Sequence, residues 1–191
     1  MRLTEEKSLG KRNGFSLIEL LIVIAIVVVI AAIAIPNLLR SKVAGNEASA
    51  VGSLRNMMSA EAAYKAMYGV GYSNDLSTLG GQADIAQPSC STALLLDPTL
   101  AKGASGNQTE KSGYRFTFTP GTQAFQPDSA VPAGCTVGKA DGYAVQADPV
   151  DPGVSGKRHF CADASGVIRV DLQKQVSVTA PTCSSEAPAL Q

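Results

Sequence analysis

A polar, charged stretch over residues 1–14 gives way at residue 15 to an apolar run, FSLIELLIVIAIVVVIAAIAI, that ends before Pro36. Taken as helix, residues 15–35 extend about 32 Å, enough for one bilayer crossing. Beyond Pro36 the apolar residues Leu38, Leu39, Val43, Val51, Leu54, Met57, Met58, Ala62, Tyr64 and Tyr68 recur at spacings of three and four among polar positions. That periodicity predicts an amphipathic continuation. The combined reading is one helix over residues 15–68, bent at Pro36, whose second half lays one face on a globular domain. Met57, Met58, Tyr64 and Tyr68 are read as core packing rather than as a ligand-binding stripe.

The pattern changes period further along. Residues 114–119 (YRFTFT) alternate strictly, with Tyr114, Phe116 and Phe118 on one side and Arg115, Thr117 and Thr119 on the other, as a strand with one core face and one solvent face should. Residues 143–147, 158–162 and 167–171 give further strand signals bounded by Gly, Pro, Asp or Ser. Asp163-Ala164-Ser165-Gly166 reads as a tight hairpin between the last two. Residues 84–111 and 120–141, rich in Ser, Thr, Gly, Pro and Ala, read as surface loops where partner specificity would reside. The fold class expected is α+β: a long N-terminal helix, membrane-spanning in its first half, packed on a small antiparallel sheet. Its divisions are a leader over 1–14, the helix over 15–68 (15–35 apolar, 36–68 amphipathic) and a β-rich domain over 69–191.

Composition sharpens this. The 191 residues carry 16 basic and 16 acidic side chains, so no global field draws the protein to nucleic acid. Few aromatics and no tryptophan point to a modest core that gains from covalent cross-links. All 4 cysteines, Cys90, Cys135, Cys161 and Cys183, lie downstream of the apolar run. They read as two disulfides formed in an oxidising compartment, with three connectivities open, since their spacing has no zinc-site pattern. Asp141, Asp148 and Asp151, around the DPVDPG stretch, form a weak calcium candidate that ordinary turn chemistry also explains. No nucleophile elbow, phosphate loop or metal motif accompanies the lone His159, so neither an enzyme nor a cofactor is expected. Asn107-Gln108-Thr109 fits the N-glycosylation pattern and reads mainly as an exposed loop.

The most informative residue is Glu19, a carboxylate inside the apolar run. Residues 15–35 contain no Lys, Arg or His, so its compensating charge must come from another chain or from a newly made amino terminus. A cut after Gly14 would supply an amine on Phe15, one helical turn before Glu19. An ordinary secretory signal is the competing reading, with Ala32-Ile33-Ala34 imitating its cut site and a soluble secreted binding domain as its product. Against it stand the long leader with Glu5 and Glu6 and the carboxylate itself. Arg2, Lys7, Lys11 and Arg12 outnumber those acids and keep the leader cytoplasmic, so residues beyond the span face outward.

Gly14-Phe15-Ser16-Leu17-Ile18-Glu19-Leu20, preceded by Lys11 and Arg12 and followed by an apolar run to Pro36, resembles the class III signal of type IV pilins and type II secretion pseudopilins. Residues 72–80, 112–114, 142–143, 158–160 and 165–169 carry a weaker likeness to their globular parts. The resemblance implies the pilin fold, cleavage between Gly14 and Phe15 by a prepilin peptidase, methylation of the new Phe15 amine, a need for Glu19 in assembly, and a helix-bending proline at Pro36. The implied partners are other copies or related pilins, the peptidase and an inner-membrane assembly platform, with nucleic acid involved only indirectly through DNA uptake. The expected function is a structural subunit of a type IV pilus serving adhesion, twitching motility or DNA uptake, the alternative being a pseudopilin of a type II secretion system. The precursor is expected in the bacterial inner membrane and the product in a surface filament or periplasmic pseudopilus. Gly45 and Gly52 then admit two readings: sites of local melting on assembly, or points of close approach.

Overall fold

The computed structural model describes residues 14–81, 87–101, 107–127, 130–172, 174–179 and 181–190. The chain divides into two compact units, residues 1–40 and 41–191. Helix α1, Leu17–Tyr68, contains Pro36 and contributes to both. Within the first unit, every described residue except the half-buried Ala31 is exposed. The expected leader lies outside the described residues, Gly14 apart.

The second unit is a helix on a sheet. From residue 47 the buried positions of α1 include Glu47, Ala50, Leu54, Met57, Glu61 and Tyr64. Steps of three and four residues keep this stripe on one side of a 3.6-residue helix. Met67, outside the stripe, is exposed. Five antiparallel strands follow in chain order, β1 Gln108–Lys111, β2 Tyr114–Pro120, β3 Tyr143–Pro149, β4 His159–Asp163 and β5 Ile168–Asp171, each paired with the next. The registers place Phe116 opposite Ala147 and Phe160 opposite Val170. Tyr114, Phe116, Phe118, Val145 and Phe160 join Leu54, Met57 and Tyr64 in the main core, so the fold is α+β as the periodicities implied.

Strand β2 follows the expected alternation, with Arg115 exposed between the buried Tyr114 and Phe116. Strands β3 and β4 are covered on both faces. The chain beyond β5 lies over the second face, where Val176, Cys183 and Ala187 pack on Ala144 and Cys161. The Gln146 side chain donates to the Val176 carbonyl at 2.7 Å. This segment also occupies the edge of β5, with Leu190 N–H bonded to the Ile168 carbonyl and Val170 N–H to that of Pro188, and so protects an edge that would otherwise invite pairing. A two-stranded ribbon, β6 Val178–Thr179 with β7 Thr182–Cys183, completes it.

Local elements have local causes. Asp163 closes the β4–β5 hairpin by accepting from Ser165 N–H at 2.9 Å and from the Ser165 hydroxyl, and Gly166 takes φ +78°. Helix α2, Leu76–Leu79, is capped by Asp75, which accepts from Thr78 N–H. That cap holds the Asp75 carboxyl below its usual range. Burial works against the shift, and hydrogen bonds from Ser77 and Thr78 outweigh it.

Two expectations need correction. Residues 84–111 are not all loop: α3 Pro98–Ala101 and the edge strand β1 fall within them. The Asn107-Gln108-Thr109 stretch is likewise not an exposed loop, because Thr109 lies in β1, is buried, and donates its hydroxyl to the Thr99 carbonyl at 2.7 Å. The turn into β2 causes both. Ser112 and Gly113 have φ of 50° and 73°, the left-handed pair a two-residue hairpin turn requires, and it folds the polar QTEK segment back onto β2.

Candidate functional site

Residues 14–16 have no regular structure, and α1 begins at Leu17 with Leu20 N–H bonded to the Ser16 carbonyl at 3.2 Å. The Gly14–Phe15 peptide bond therefore sits in open chain immediately before the first helical turn. Phe15 is 82% exposed, and a β-carbon built on Gly14 meets nothing within 4 Å. Packing among the described residues thus does not require glycine at 14. Any requirement for it would come from an enzyme that grips this bond.

Glu19 is exposed in the first turn of α1, where the positive end of the helix dipole favours a carboxylate. That half-charge falls short of a full counter-ion in an apolar setting. No basic residue follows in sequence until Arg40, and among the described residues no ion pair involves Glu19. Around it Leu17, Ile18, Leu20, Ile22 and Val23 are all more than half exposed. An apolar helical surface of this extent is stable only against lipid or against other helices.

Further along α1 two carboxylates sit on the buried stripe, and sequence reasoning singled out neither. Glu47 accepts from the backbone N–H of Lys157 at 2.9 Å and of Arg158 at 3.3 Å, and its other oxygen meets the Arg158 Nε at 2.7 Å. Beside it the Asn46 amide donates to the Ser155 carbonyl at 2.8 Å. Together they fasten the β3–β4 loop to the helix. Glu61, fully buried, faces Ser73: Ser73 N–H donates to one carboxyl oxygen at 2.9 Å, and the Ser73 hydroxyl lies 2.5 Å from the other. Burial raises the Glu61 carboxyl from 4.5 to about 7, against the opposing pull of the Ser73 bonds. The signal that could have found both acids is positional: they share the three-and-four stripe with Ala50, Leu54, Met57 and Tyr64.

The structure separates the other candidates. Asp141 accepts from Thr122 N–H, the Thr122 hydroxyl and Gln123 N–H. Desolvation opposes these bonds, which nevertheless hold its carboxyl below the usual range. Asp148 meets His159 Nδ1 at 2.7 Å and the Gln175 amide at 2.5 Å, while the Asp151 backbone bonds the Ser155 hydroxyl. Each aspartate thus serves its own turn or pair, and among the described residues no group of three or more His, Cys, Asp or Glu is arranged to hold a metal ion. His159 takes its place as the partner of Asp148.

The cysteines pair as Cys90–Cys135 and Cys161–Cys183. The first joins the segment after α2 to the loop before β3, next to the Cys90 carbonyl that accepts the Tyr64 hydroxyl at 2.8 Å. The second fastens β7 over β4. Gly45 and Gly52 have no neighbour within 4 Å of a β-carbon, so no close approach among the described residues accounts for either.

Residues 9–35 match the prokaryotic N-terminal methylation motif, the class III prepilin signal of type IV pilins and pseudopilins. No curated protein matches the chain, and neither does any solved structure.

Proposed function

We propose that this chain is the structural subunit of a type IV pilus-like filament, polymerised through α1 after a prepilin peptidase cuts between Gly14 and Phe15 and methylates the Phe15 amine. One observation carries the reading. The methylation motif over residues 9–35 coincides with an open Gly14–Phe15 bond directly ahead of an exposed apolar run, residues 15–35, whose single carboxylate is Glu19.

The physical sequence is simple. The precursor waits in the inner membrane with residues 1–14 in the cytoplasm as a leader, residues 15–35 across the bilayer, and the β-rich domain over 69–191 outside. Cleavage turns the Phe15 nitrogen from an amide into a cation. In a staggered bundle that cation meets Glu19 of a neighbouring copy. Glu19 alone costs at least a few kcal/mol at bilayer depth, less near the helix end, and pairing relieves that cost only in the correct register. The partners are other copies or related pilins, the peptidase and an inner-membrane assembly platform, and the subunit needs no catalysis of its own. The two disulfides across loops and tail suit a domain held in an oxidising compartment, which the cell surface of a pilus and the periplasm of a secretion pseudopilus both provide. Adhesion, twitching motility and DNA uptake are uses such a filament serves.

Glu19→Ala tests the pairing. The variant should insert and be cleaved at wild-type levels, while filament yield falls about tenfold or more. Wild-type filament yield would overturn it, and wild-type filaments confined to the periplasm would favour the pseudopilus.

A further inference from the structure

We infer that the cavity between the β4–β5 turn and the β6–β7 ribbon is a binding site for a neutral saccharide. Its volume is about 620 Å³, inside the range of about 300–1,000 Å³ common for small-molecule sites. Polar side chains make its walls. Thr179, Thr182, Ser184 and Ser185 bring hydroxyls, and Arg169 brings a guanidinium. Asp141, Asp163 and Glu186 bring carboxylates, and Ala164 and Pro181 add a small apolar patch.

The walls are fixed before any ligand arrives. Asp163 accepts the Ser165 N–H at 2.9 Å and the Ser165 hydroxyl on one oxygen, and the Cys183 N–H at 2.9 Å on the other. Asp141 accepts from the Thr122 N–H, the Thr122 hydroxyl and the Gln123 N–H. The Cys161–Cys183 disulfide pins the ribbon over β4. A cavity set in advance loses little freedom on binding. An ionised carboxylate offers about four lone-pair sites, so both aspartates keep capacity for a hydroxyl donor. Arg169 is the converse case. Its Nη1 donates to the Ala187 carbonyl at 3.1 Å, while its buried Nε has no partner and no carboxylate pairs with it among the described residues. A guanidinium held in this way still has donors to offer.

The class of ligand follows by comparison. Three carboxylates against one guanidinium disfavour an anion. Among the described residues no group of three or more His, Cys, Asp or Glu is arranged to hold a metal ion. The apolar patch is too small for an apolar ligand, and it offers no socket of the kind that reads peptide side chains. A neutral sugar meets all these conditions. Each of its hydroxyls both donates and accepts, so it can donate to the carboxylates and accept from Arg169 while its C–H face lies on Pro181.

Full-length chain in a zwitterionic detergent, which carries no sugar headgroup, would be tested by saturation-transfer NMR. The probes are lactose, maltose and N,N′-diacetylchitobiose, with 3′-sialyllactose as the anionic comparator and spermidine as the cationic one. At least one neutral disaccharide should receive transfer and bind about tenfold or more tightly than either comparator. Arg169→Gln, checked for folding by its melting curve, should weaken that binding about tenfold. Thr179→Val with Thr182→Val should weaken it by a similar factor. Both threonines are exposed in strands that accept valine, so a loss there is not a folding defect. Transfer to none of the three disaccharides, a comparator that binds as tightly, or binding that either cavity variant leaves at wild-type strength overturns the inference. None of these outcomes touches the filament reading, which does not depend on the cavity.

Discussion

Replacing Glu61 with glutamine should stabilise the protein at neutral pH and leave it nearly unchanged in mild acid. The Glu61 carboxyl is fully buried between α1 and the segment at Ser73, and its pKa rises from 4.5 to about 7, chiefly through desolvation. Such a rise means that the folded state holds the proton more tightly than the unfolded chain. The stability it represents is fully present below about pH 4.5, fades as pH climbs through about 7, and is gone above that. The shift corresponds to about 3 kcal/mol between the two limits. For a chain of this size that is about 10 °C in melting temperature. Glutamine mimics the protonated acid: its NH2 can donate to the Ser73 hydroxyl, which in turn donates to the Asp75 carbonyl at 3.1 Å, and its oxygen can accept Ser73 N–H. Thermal unfolding of full-length wild type and Glu61→Gln in detergent, followed by tyrosine fluorescence from pH 5 to 8, supplies the comparison. The two curves should meet near pH 5 and diverge toward pH 8 with the variant higher. Parallel curves would refute the reasoning, since every other titrating group is common to both proteins.

Gly14→Val should leave uncleaved precursor in cells that make the peptidase, seen as a mobility shift on gels. Because nothing lies within 4 Å of a β-carbon there, its melting curve should match wild type, which separates a processing defect from a folding one. Cys161→Ser with Cys183→Ser should cost about 3 kcal/mol by loop-closure entropy, measured by denaturant unfolding under oxidising conditions, and should loosen the tail from β4. Gly52→Ala, with open space at its β-carbon, should stabilise the monomer by up to about 1 kcal/mol through helix propensity. If local melting at Gly52 serves assembly, the same variant should give fewer filaments, counted by electron microscopy.

What was legible in the sequence was what local chemistry dictates. The stripe through Leu54, Met57 and Tyr64, the alternation of Tyr114, Phe116 and Phe118, and the Asp163–Gly166 turn each carry their own period or turn residue. The methylation motif over residues 9–35 was legible for the same reason, because an acid in an apolar run is conspicuous wherever the chain folds. Strand β1 was not, because Gln108–Lys111 has almost no intrinsic strand preference and is held by pairing across the Ser112-Gly113 turn. The covered second face of β3 and β4 depends on a tail brought there by Cys183 and by Gln146, partners distant in sequence. Glu47 and Glu61 stayed hidden because their partners, Arg158 and Ser73, lie 111 and 12 residues away. Polar residues on an apolar stripe should therefore be taken as statements about an unseen partner.

Polymerisation through α1 requires that the helix be retained after the leader is removed. N-terminal sequencing and intact mass of the mature protein, purified from cells that make the peptidase, test this most directly. The expected product is a chain beginning at Phe15, heavier by one methyl group, with residues 15–35 still attached. A mature chain beginning near Ile35, water-soluble and lacking the apolar helix, would contradict it.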